Sequence, residues 1–258
     1  MSGKIDRRGF LKRGLAITSA ALLGGCEGLS DQPWVKRILD STENLTLFSQ
    51  RTLVSSSALA REYAEDEISP KFRANGSTNP DDSAYQAHVA NGFADWTLTL
   101  GGLVEQPLAL SLADLRKMPS RTQVTRHDCV EGWSCIGKWK GVPLKALLEE
   151  ARLKPEARYI VFYCADDLGE TGTEAGKYYE SIGMVDAVHP QTILAYEMNG
   201  ETLPVAHGAP LRLRVERQLG YKMAKYVMAI EAVAGLADLR GGRGGFWEDR
   251  GYEWYAGI

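Results

Sequence analysis

Three cysteines in the body of this 258-residue chain are the residues best suited to metal or nucleophilic chemistry. Cys129 follows His127 and Asp128, and Cys135 and Cys164 come later in the chain. A thiolate at the end of a strand can bind a soft metal ion, whereas one disulfide among the three would leave a single free thiol. A zinc site from His127, Cys129, Cys135 and Cys164 is a further alternative, although its spacing matches no common zinc pattern.

Common catalytic motifs are absent from the sequence, which argues against several enzyme classes. The chain has no GxxxxGK(S/T) phosphate loop and no GxGxxG fingerprint, and the glycine-rich run at 241–245 lacks that spacing. It has no CxxCH haem motif, no HExxH or CxxC metal motif and no GxSxG nucleophile elbow. The composition, with 44% hydrophobic residues, is that of a globular protein, and the net charge of −3 argues against a nucleic-acid binder.

Short strands and helices must position these side chains. The segment from Ser111 to Asp114 fits a capping box that opens a short helix ending near Pro119, and Asn199-Gly200 is a strong hairpin signal. About eight or more strands without regularly alternating helices predict a mixed α+β fold, mainly of antiparallel sheets with four or five short helices. Strands are predicted at 96–100, 123–129, 159–164, 192–198, 211–215 and 226–230, further helices at 34–39, 58–63 and 142–153, a polar loop at 74–83 and a turn at 101–102.

The first 25 residues have the layout of an export signal, a basic region followed by a short apolar run. The pair Arg7-Arg8 resembles the twin-arginine (Tat) signal, although Asp6 stands where serine or threonine is usual. The sequence ending at Cys26 resembles a bacterial lipobox, so Cys26 is predicted to be lipidated. A lipoprotein on the periplasmic or cell-envelope side of the membrane is expected, tethered to the surface. The sequence contains no run of 18 apolar residues, so no membrane-spanning helix is predicted.

Two further segments complete the predicted organisation. Residues 27–70 are weakly patterned and are predicted to wrap over the body of the protein. Residues 71–258 are predicted to form the main domain, which ends in an aromatic tail at 246–255. So many rings are seldom left in water, so the tail either packs on the domain or forms a docking surface for a redox partner.

Several motifs follow one another in a fixed order along the chain. The segment from Asp128 to Ser134, followed by Trp139 to Leu144, is similar to the molybdenum-binding signature of the sulfite oxidase family. The resemblance covers about residues 70–235 and implies a compact α+β fold, a molybdenum–molybdopterin cofactor and two-electron oxygen-atom transfer. The other matching segments are Tyr178–Ile182, Leu194–Gly200, His207–Arg212 and Gly220–Lys225.

The resemblance also implies roles for individual residues. Cys129 matches the family's molybdenum ligand, Tyr178 an active-site tyrosine, and Arg73 a residue that could bind an oxyanion substrate. Cys164 stands where the sulfoxide-reductase branch has threonine. The residues expected to bind the cofactor are Asn75, Cys129, Cys164, His207, Arg212, Met223, Ala224 and Lys225.

Some of these residues also have a simpler interpretation. Arg212, Arg214 and Arg217 alternate on a predicted strand and could form only a solvated face, while Lys222 and Lys225 could be ordinary surface lysines. Two alternative functions follow, a non-catalytic cofactor-binding or assembly protein and a zinc- or disulfide-stabilised binding lipoprotein.

The resemblance further predicts how the enzyme would exchange electrons. Because the chain carries no haem or flavin motif, electrons are expected to pass through a separate protein, a cytochrome or a membrane haem subunit. The sequence leaves no room for the C-terminal dimerisation domain of sulfite oxidases, so the architecture resembles the monomeric sulfoxide-reductase branch. The expected substrate is a small oxyanion or a sulfoxide.

Overall fold

The computed structural model describes residues 45–169 and 176–258. The chain divides into two compact units, Met1–Thr52 and Leu53–Ile258. Of the first unit, residues 45–52 are described and are helical. The predicted export signal, the lipidation site at Cys26 and the helix at 34–39 lie outside the described residues.

The second unit is built from short strands and four short α-helices in the part of the chain that is described. The helices are α1 (Ser83–Ala90), α2 (Leu112–Lys117), α3 (Leu144–Ala151) and α4 (Met184–Ala187). The strands are β1 (Thr97–Gly102), β2 (Leu108–Ser111), β3 (Arg121–Asp128), β4 (Ser134–Pro143), β5 (Tyr159–Asp167), β6 (Lys177–Gly183), β7 (Ile193–Met198), β8 (Glu201–Thr202), β9 (Arg212–Arg214) and β10 (Val227–Val233). Short 3-10 turns cover Glu65–Glu67, Val205–His207, Gly220–Lys222 and Glu248–Arg250.

Two five-stranded sheets form the framework. The first has the order β2-β1-β10-β5-β6, and the second has the order β3-β4-β7-β8, with β9 also pairing with β7. Among these ladders, β1 and β10 run parallel and the other pairs are antiparallel. The predicted α+β fold with mainly antiparallel sheets is confirmed.

Helix α3 shows how the sequence places the core. Leu144, Leu147, Leu148 and Ala151 recur at helical spacing and all four are buried, so one face of α3 is apolar. They join a core cluster that includes apolar residues of both sheets. The prediction that this helix runs to residue 153 was two residues too long, because Arg152 adopts a left-handed conformation that ends it.

Two local predictions are confirmed in detail. The Asp114 backbone N–H donates to Ser111 Oγ at 3.1 Å, and the Ser111 N–H donates back to the Asp114 carboxylate at 3.3 Å, which completes the capping box of α2. Asn199 and Gly200, with φ of 54° and 86°, form the hairpin turn between β7 and β8.

The predicted helix at 58–63 is wrong. This segment is irregular apart from an isolated bridge between Glu62 and Thr125, because its backbone groups are bound by other parts of the chain. Tyr63 donates its N–H to the Val124 carbonyl on β3 at 2.9 Å, and Gln191 bonds both the N–H and the carbonyl of Ala60. These distant partners override the local preference for a helix.

The hairpin between β1 and β2 also differs from its prediction. Gly101 and Gly102 belong to β1 itself, and the chain reverses after them. Gly102 has a φ of +79°, and an added Cβ would lie 2.3 Å from the Ala232 carbonyl oxygen. Glycine is therefore required there by close strand packing. Strands β4 and β6 were not predicted.

Candidate active site

A cavity of about 250 Å³ gathers most of the predicted site residues. Cys164, His207 and Ala224 do not line it: Cys164 and Ala224 are buried in the core, and His207 follows Ala206, which does line it. The predicted residues that do line the cavity are Arg73, Asn75, Cys129, Tyr178, Arg212, Met223 and Lys225.

A tight turn after β3 presents Cys129 to the cavity. The Cys129 N–H donates to the Trp133 carbonyl, and the Gly132 N–H donates back to the Cys129 carbonyl, both at 2.9 Å. Gly132 has a φ of +86°, which favours glycine. The thiol is half-buried, and Asn75 Nδ2 lies 3.6 Å from its Sγ. The turn therefore holds a thiol at the cavity wall with a weak donor beside it.

The mouth of the cavity carries a charge pair. Arg73 Nη2 lies 3.8 Å from Glu131 Oε2, and the Arg73 guanidinium lies 5.2 Å from the centre of the Trp133 ring. Trp133 Nε1 donates to Glu131 Oε2 at 3.1 Å, and Asn75 Nδ2 donates to Oε1 at 3.2 Å. These two hydrogen bonds lower the pKa of Glu131, and the bond from Trp133 has the larger effect. Arg73 therefore faces a carboxylate that is held in its ionised form.

His127 is a buried neutral histidine in the cavity wall. Arg214 Nη1 donates to its Nδ1 at 3.1 Å, and a guanidinium can only donate, so the proton of His127 is on Nε2. Burial, reinforced by Arg212 and Arg214, holds the pKa of His127 well below its usual value. A Cβ on Gly220 would lie 2.4 Å from the imidazole, so this glycine allows the close approach of the two segments.

Two arginines of β9 pack on the ring of Trp139. The guanidinium of Arg212, which also lines the cavity, lies 5.1 Å from the ring centre, and that of Arg214 lies 4.4 Å from it. Arg214 is balanced by Glu216, to which it donates at 2.9 and 2.6 Å. Arg212 donates to the His207 carbonyl at 3.2 Å. Burial, with the like charge of Arg214 second, lowers the pKa of Arg212 to about 9. The interpretation of Arg212 and Arg214 as a solvated face is wrong, since both are buried.

Lys225 connects two distant parts of the chain at the cavity. Its Nζ donates to the Asn75 carbonyl at 2.7 Å and to the Ser77 carbonyl. Burial, with Arg212 second, lowers the pKa of Lys225 to about 8, and burial raises that of the neighbouring Asp166 to about 7. Lys225 is therefore not an ordinary surface lysine.

Unsatisfied polar atoms show that the site fits a polar ligand. In the described part of the chain, Arg212 Nε, His207 Nδ1 and Asp166 Oδ1 are buried and have no hydrogen-bond partner. Buried polar atoms are normally paired, so three near one cavity indicate groups that a ligand would satisfy. Arg212, which is buried, and Lys225, which is partly buried, provide cationic donors suited to a phosphate, and Cys129 provides a soft ligand for a metal.

A buried ionic cluster lies next to the cavity and was missed at the level of sequence. Lys222 Nζ donates to Glu180 Oε1 at 2.5 Å and to Glu248, and all three side chains are fully buried. Burial, with Glu248 second, raises the pKa of Glu180. Tyr221 and Met223, which flank Lys222 in the sequence, both line the cavity. The buried cluster therefore anchors that part of the cavity wall. The available signal was a glutamate within the apolar strand β6.

Tyr178 is held by the same wall. Its hydroxyl donates to the Tyr221 carbonyl, and its side chain is buried. Burial, with Glu180 second, raises the pKa of Tyr178 above its ordinary value, so the phenol stays protonated at neutral pH.

The fold and this cavity agree with a known family. The family model of the oxidoreductase molybdopterin binding domain matches residues 86–237. The chain belongs to this family. Its sequence resemblance to the sulfite oxidase family is confirmed, and so are the molybdenum–molybdopterin cofactor and the assignment as an oxidoreductase.

Similar proteins cover much of the chain. A protein of Azospira oryzae with the provisional name protein-methionine-sulfoxide reductase subunit YedZ1 is 37% identical, over 97% of this chain and 87% of its own. The protein-methionine-sulfoxide reductase catalytic subunit MsrP of Xanthomonas axonopodis is 32% identical, over 88% and 70% respectively. Sulfane dehydrogenase SoxCD of Paracoccus pantotrophus aligns with a TM-score of 0.48 and 28% identity, over 54% of this chain and 38% of that one.

The geometry suits the molybdopterin cofactor better than the alternative of zinc or a disulfide. Cys129 would ligate the metal, and Arg212 and Lys225 would hold the pterin phosphate. Within residues 45–169 and 176–258, no group of three His, Cys, Asp or Glu side chains is arranged to bind a metal, and the three cysteines there are free. No helix in these ranges is long and apolar enough to cross a membrane.

Proposed function

We propose that this molybdopterin oxidoreductase reduces methionine sulfoxide side chains in proteins. The sulfoxide takes up two electrons and two protons, its S–O bond breaks, and the products are a thioether and water. A separate redox protein supplies the electrons. When bound, the molybdenum cofactor supplies the two-electron chemistry and the site for oxygen-atom transfer.

The aromatic lining of the cavity, together with its charge-balanced mouth, is the observation that carries this proposal. Tyr221, Trp247 and Tyr252 line the cavity together, with Tyr221 edge-on to Tyr252 at 5.2 Å and Trp247 stacked on Tyr252 at 5.3 Å between ring centres. Trp133 lines the cavity near Cys129. A methionine sulfoxide is a neutral dipole with apolar carbon on both sides, so aromatic faces suit it better than they suit a hydrated anion. The names of the similar proteins support the same substrate.

The residues of this chain have distinct tasks in the proposed reaction. Arg212 and Lys225 bind the cofactor phosphate with charge-assisted hydrogen bonds. Cys129 orients the metal, and the turn around it limits its movement. His127 lines the cavity as a neutral ring with its proton on Nε2, since its Nδ1 accepts from Arg214. The ring of Trp133 and the phenol of Tyr178 exclude water from the cavity wall.

The test is reduction of a methionine-oxidised protein by the cofactor-loaded enzyme, with reduced viologen as electron donor. We expect mass spectrometry to show loss of one oxygen per reduced methionine, and the variant Cys129→Ser to abolish this. The variant Cys135→Ser is the matched control and should keep full activity. Oxidation of sulfite without any reduction of sulfoxide would overturn the proposal and favour the oxyanion substrate.

We further propose export and membrane tethering. The Arg7-Arg8 pair would direct twin-arginine export of the folded, cofactor-loaded enzyme, and lipidated Cys26 would tether it as a monomer at the periplasmic face of the membrane. A membrane haem subunit would supply electrons there. Replacing both arginines by lysine should retain the enzyme in the cytoplasm, and Cys26→Ala should release it from membranes. Unchanged fractionation of both variants would contradict this.

A further inference from the structure

We propose that Glu131 determines specificity by keeping oxyanions out of the active site. This inference rests on the proposed reduction of a neutral sulfoxide and names the residue that selects for it. Glu131 stands in the turn that carries Cys129, two residues after the predicted metal ligand. Its carboxylate faces Arg73, the cation at the mouth that would otherwise attract an anion.

Two neutral donors fix the carboxylate in this position. Asn75 Nδ2 holds Oε1 at 3.2 Å, and Trp133 Nε1 holds Oε2 at 3.1 Å. An exposed ion pair contributes little by itself, and both side chains here are about half exposed, at 59% for Arg73 and 50% for Glu131. The two hydrogen bonds therefore matter more, because they keep Glu131 beside Arg73 when a competing anion arrives.

The arrangement extends directly to the reacting group. The same Asn75 amide that holds Glu131 lies 3.6 Å from Cys129 Sγ. The side chain of Arg73 rests on Trp133, which fixes the guanidinium on the side of the Cys129 turn. A negative group approaching Cys129 would thus meet the charge of Glu131 next to that of Arg73. Like charges placed together at a binding site are strongly unfavourable, and they act more on selectivity than on the affinity of neutral ligands.

Sulfate is the probe for this proposal, because it is an oxyanion that does not react under these conditions. Calorimetry at constant ionic strength would measure sulfate binding to the cofactor-loaded enzyme, to Glu131→Gln and to Glu201→Gln. The control residue Glu201 is an exposed carboxylate on β8, and its variant changes the net charge by the same amount. The double variant Arg73→Gln with Glu131→Gln tests whether Arg73 is the cation that binds sulfate once the charge of Glu131 is removed.

We expect Glu131→Gln to bind sulfate about tenfold more tightly than the wild type, with Glu201→Gln unchanged and the double variant returning to the wild-type value. Sulfate should inhibit sulfoxide reduction by Glu131→Gln at correspondingly lower concentration. The KM for a neutral peptide sulfoxide should change much less than the sulfate affinity. Equal sulfate binding by wild type and Glu131→Gln, or tight binding that persists in the double variant, would overturn the proposal.

Two further measurements make the outcome unambiguous. Melting temperatures would show that the variants are folded, and Glu131→Ala should show the same gain in sulfate binding if the glutamine variant is unstable. Sulfate binding is measured without turnover. Failure of the wild type to reduce sulfoxides would therefore overturn the proposed function alone, while unchanged sulfate binding in an active enzyme would overturn the role of Glu131 alone.

Discussion

The guanidinium of Arg214 donates to Nδ1 of His127 at 3.1 Å, and this buried contact lies at the wall of the cavity, which His127 lines. This contact fixes the histidine tautomer, and it also links a cavity residue of β3 to the ionic network of β9. Arg214 is at the same time paired with Glu216, whose side chain is fully buried and accepts a further hydrogen bond from Gln123 at 2.8 Å. The floor of the site is therefore a connected polar network inside the protein.

Arg214→Met should lower the free energy of unfolding by about 3–5 kcal/mol, because it leaves the carboxylate of Glu216 buried without its cation. Denaturant titration of the purified protein would measure this. The control is Arg61→Met, which removes an exposed partner of Glu67 and should change stability by less than about 1 kcal/mol. Similar losses of unfolding free energy in the two variants would contradict the prediction that the buried ion pair matters more for stability than the exposed one.

Cys129→Ser should remove most of the bound molybdenum and all measurable sulfoxide reduction, because a hydroxyl is a poor ligand compared with a thiolate. Elemental mass spectrometry of protein made in a host with molybdopterin would give the metal content. The melting temperature of the cofactor-free chain should stay close to that of the wild type, since Cys129 is in a surface turn. A wild-type metal content would reject Cys129 as the ligand.

Alkylation should distinguish the three described cysteines. Cys135 is partly exposed and should react in the folded enzyme, whereas Cys164 is buried, and burial raises the pKa of its thiol well above the usual value. Cys129 should react only after the cofactor is removed. Peptide mapping after treatment with a maleimide would give the order in which the three cysteines react. Rapid labelling of Cys164 in the folded enzyme would contradict its burial.

The stability of the protein should fall as the pH drops below about 6.5, and His189 should be one cause. Its Nε2–H donates to the Ala58 carbonyl at 3.0 Å, and its Nδ1 accepts from the Gln191 N–H at 3.2 Å, so the folded state holds a neutral ring. Burial lowers the pKa of His189, so below pH 6.5 the unfolded chain takes up the proton more readily than the folded one.

His189→Asn should therefore show a shallower decrease in unfolding free energy between about pH 7.5 and 5.5 than the wild type. Denaturant titrations across this range would give the two slopes. The same slope in both proteins would show that other groups account for the pH dependence.

Local chemistry explains which features could be predicted from the sequence. The capping box at Ser111, the Asn199-Gly200 turn and the junction at Cys129 depend on residues close together in the chain. The ordered family motifs also predicted the cofactor and seven residues that line the cavity.

Long-range pairing explains what the sequence did not reveal. Lys222 looks like a surface lysine, and only Glu180 and Glu248, which are 42 and 26 residues away, make its burial possible. Strand β4 contains two lysines and two glycines, Gly137, Lys138, Lys140 and Gly141, and its ladders to β3 and β7 define it better than its composition does. The mouth pair of Arg73 and Glu131 likewise depends on a contact between separate loops.

The bond from Lys225 to the Asn75 carbonyl spans 150 residues of sequence and has a consequence for biosynthesis. A nascent chain that has not yet emerged beyond Lys225 lacks one of the two residues proposed to bind the cofactor phosphate. On that proposal, cofactor loading would follow translation of nearly the whole domain. The apoprotein released from the ribosome, rather than a growing chain, is the species that any cofactor-delivery factor has to meet.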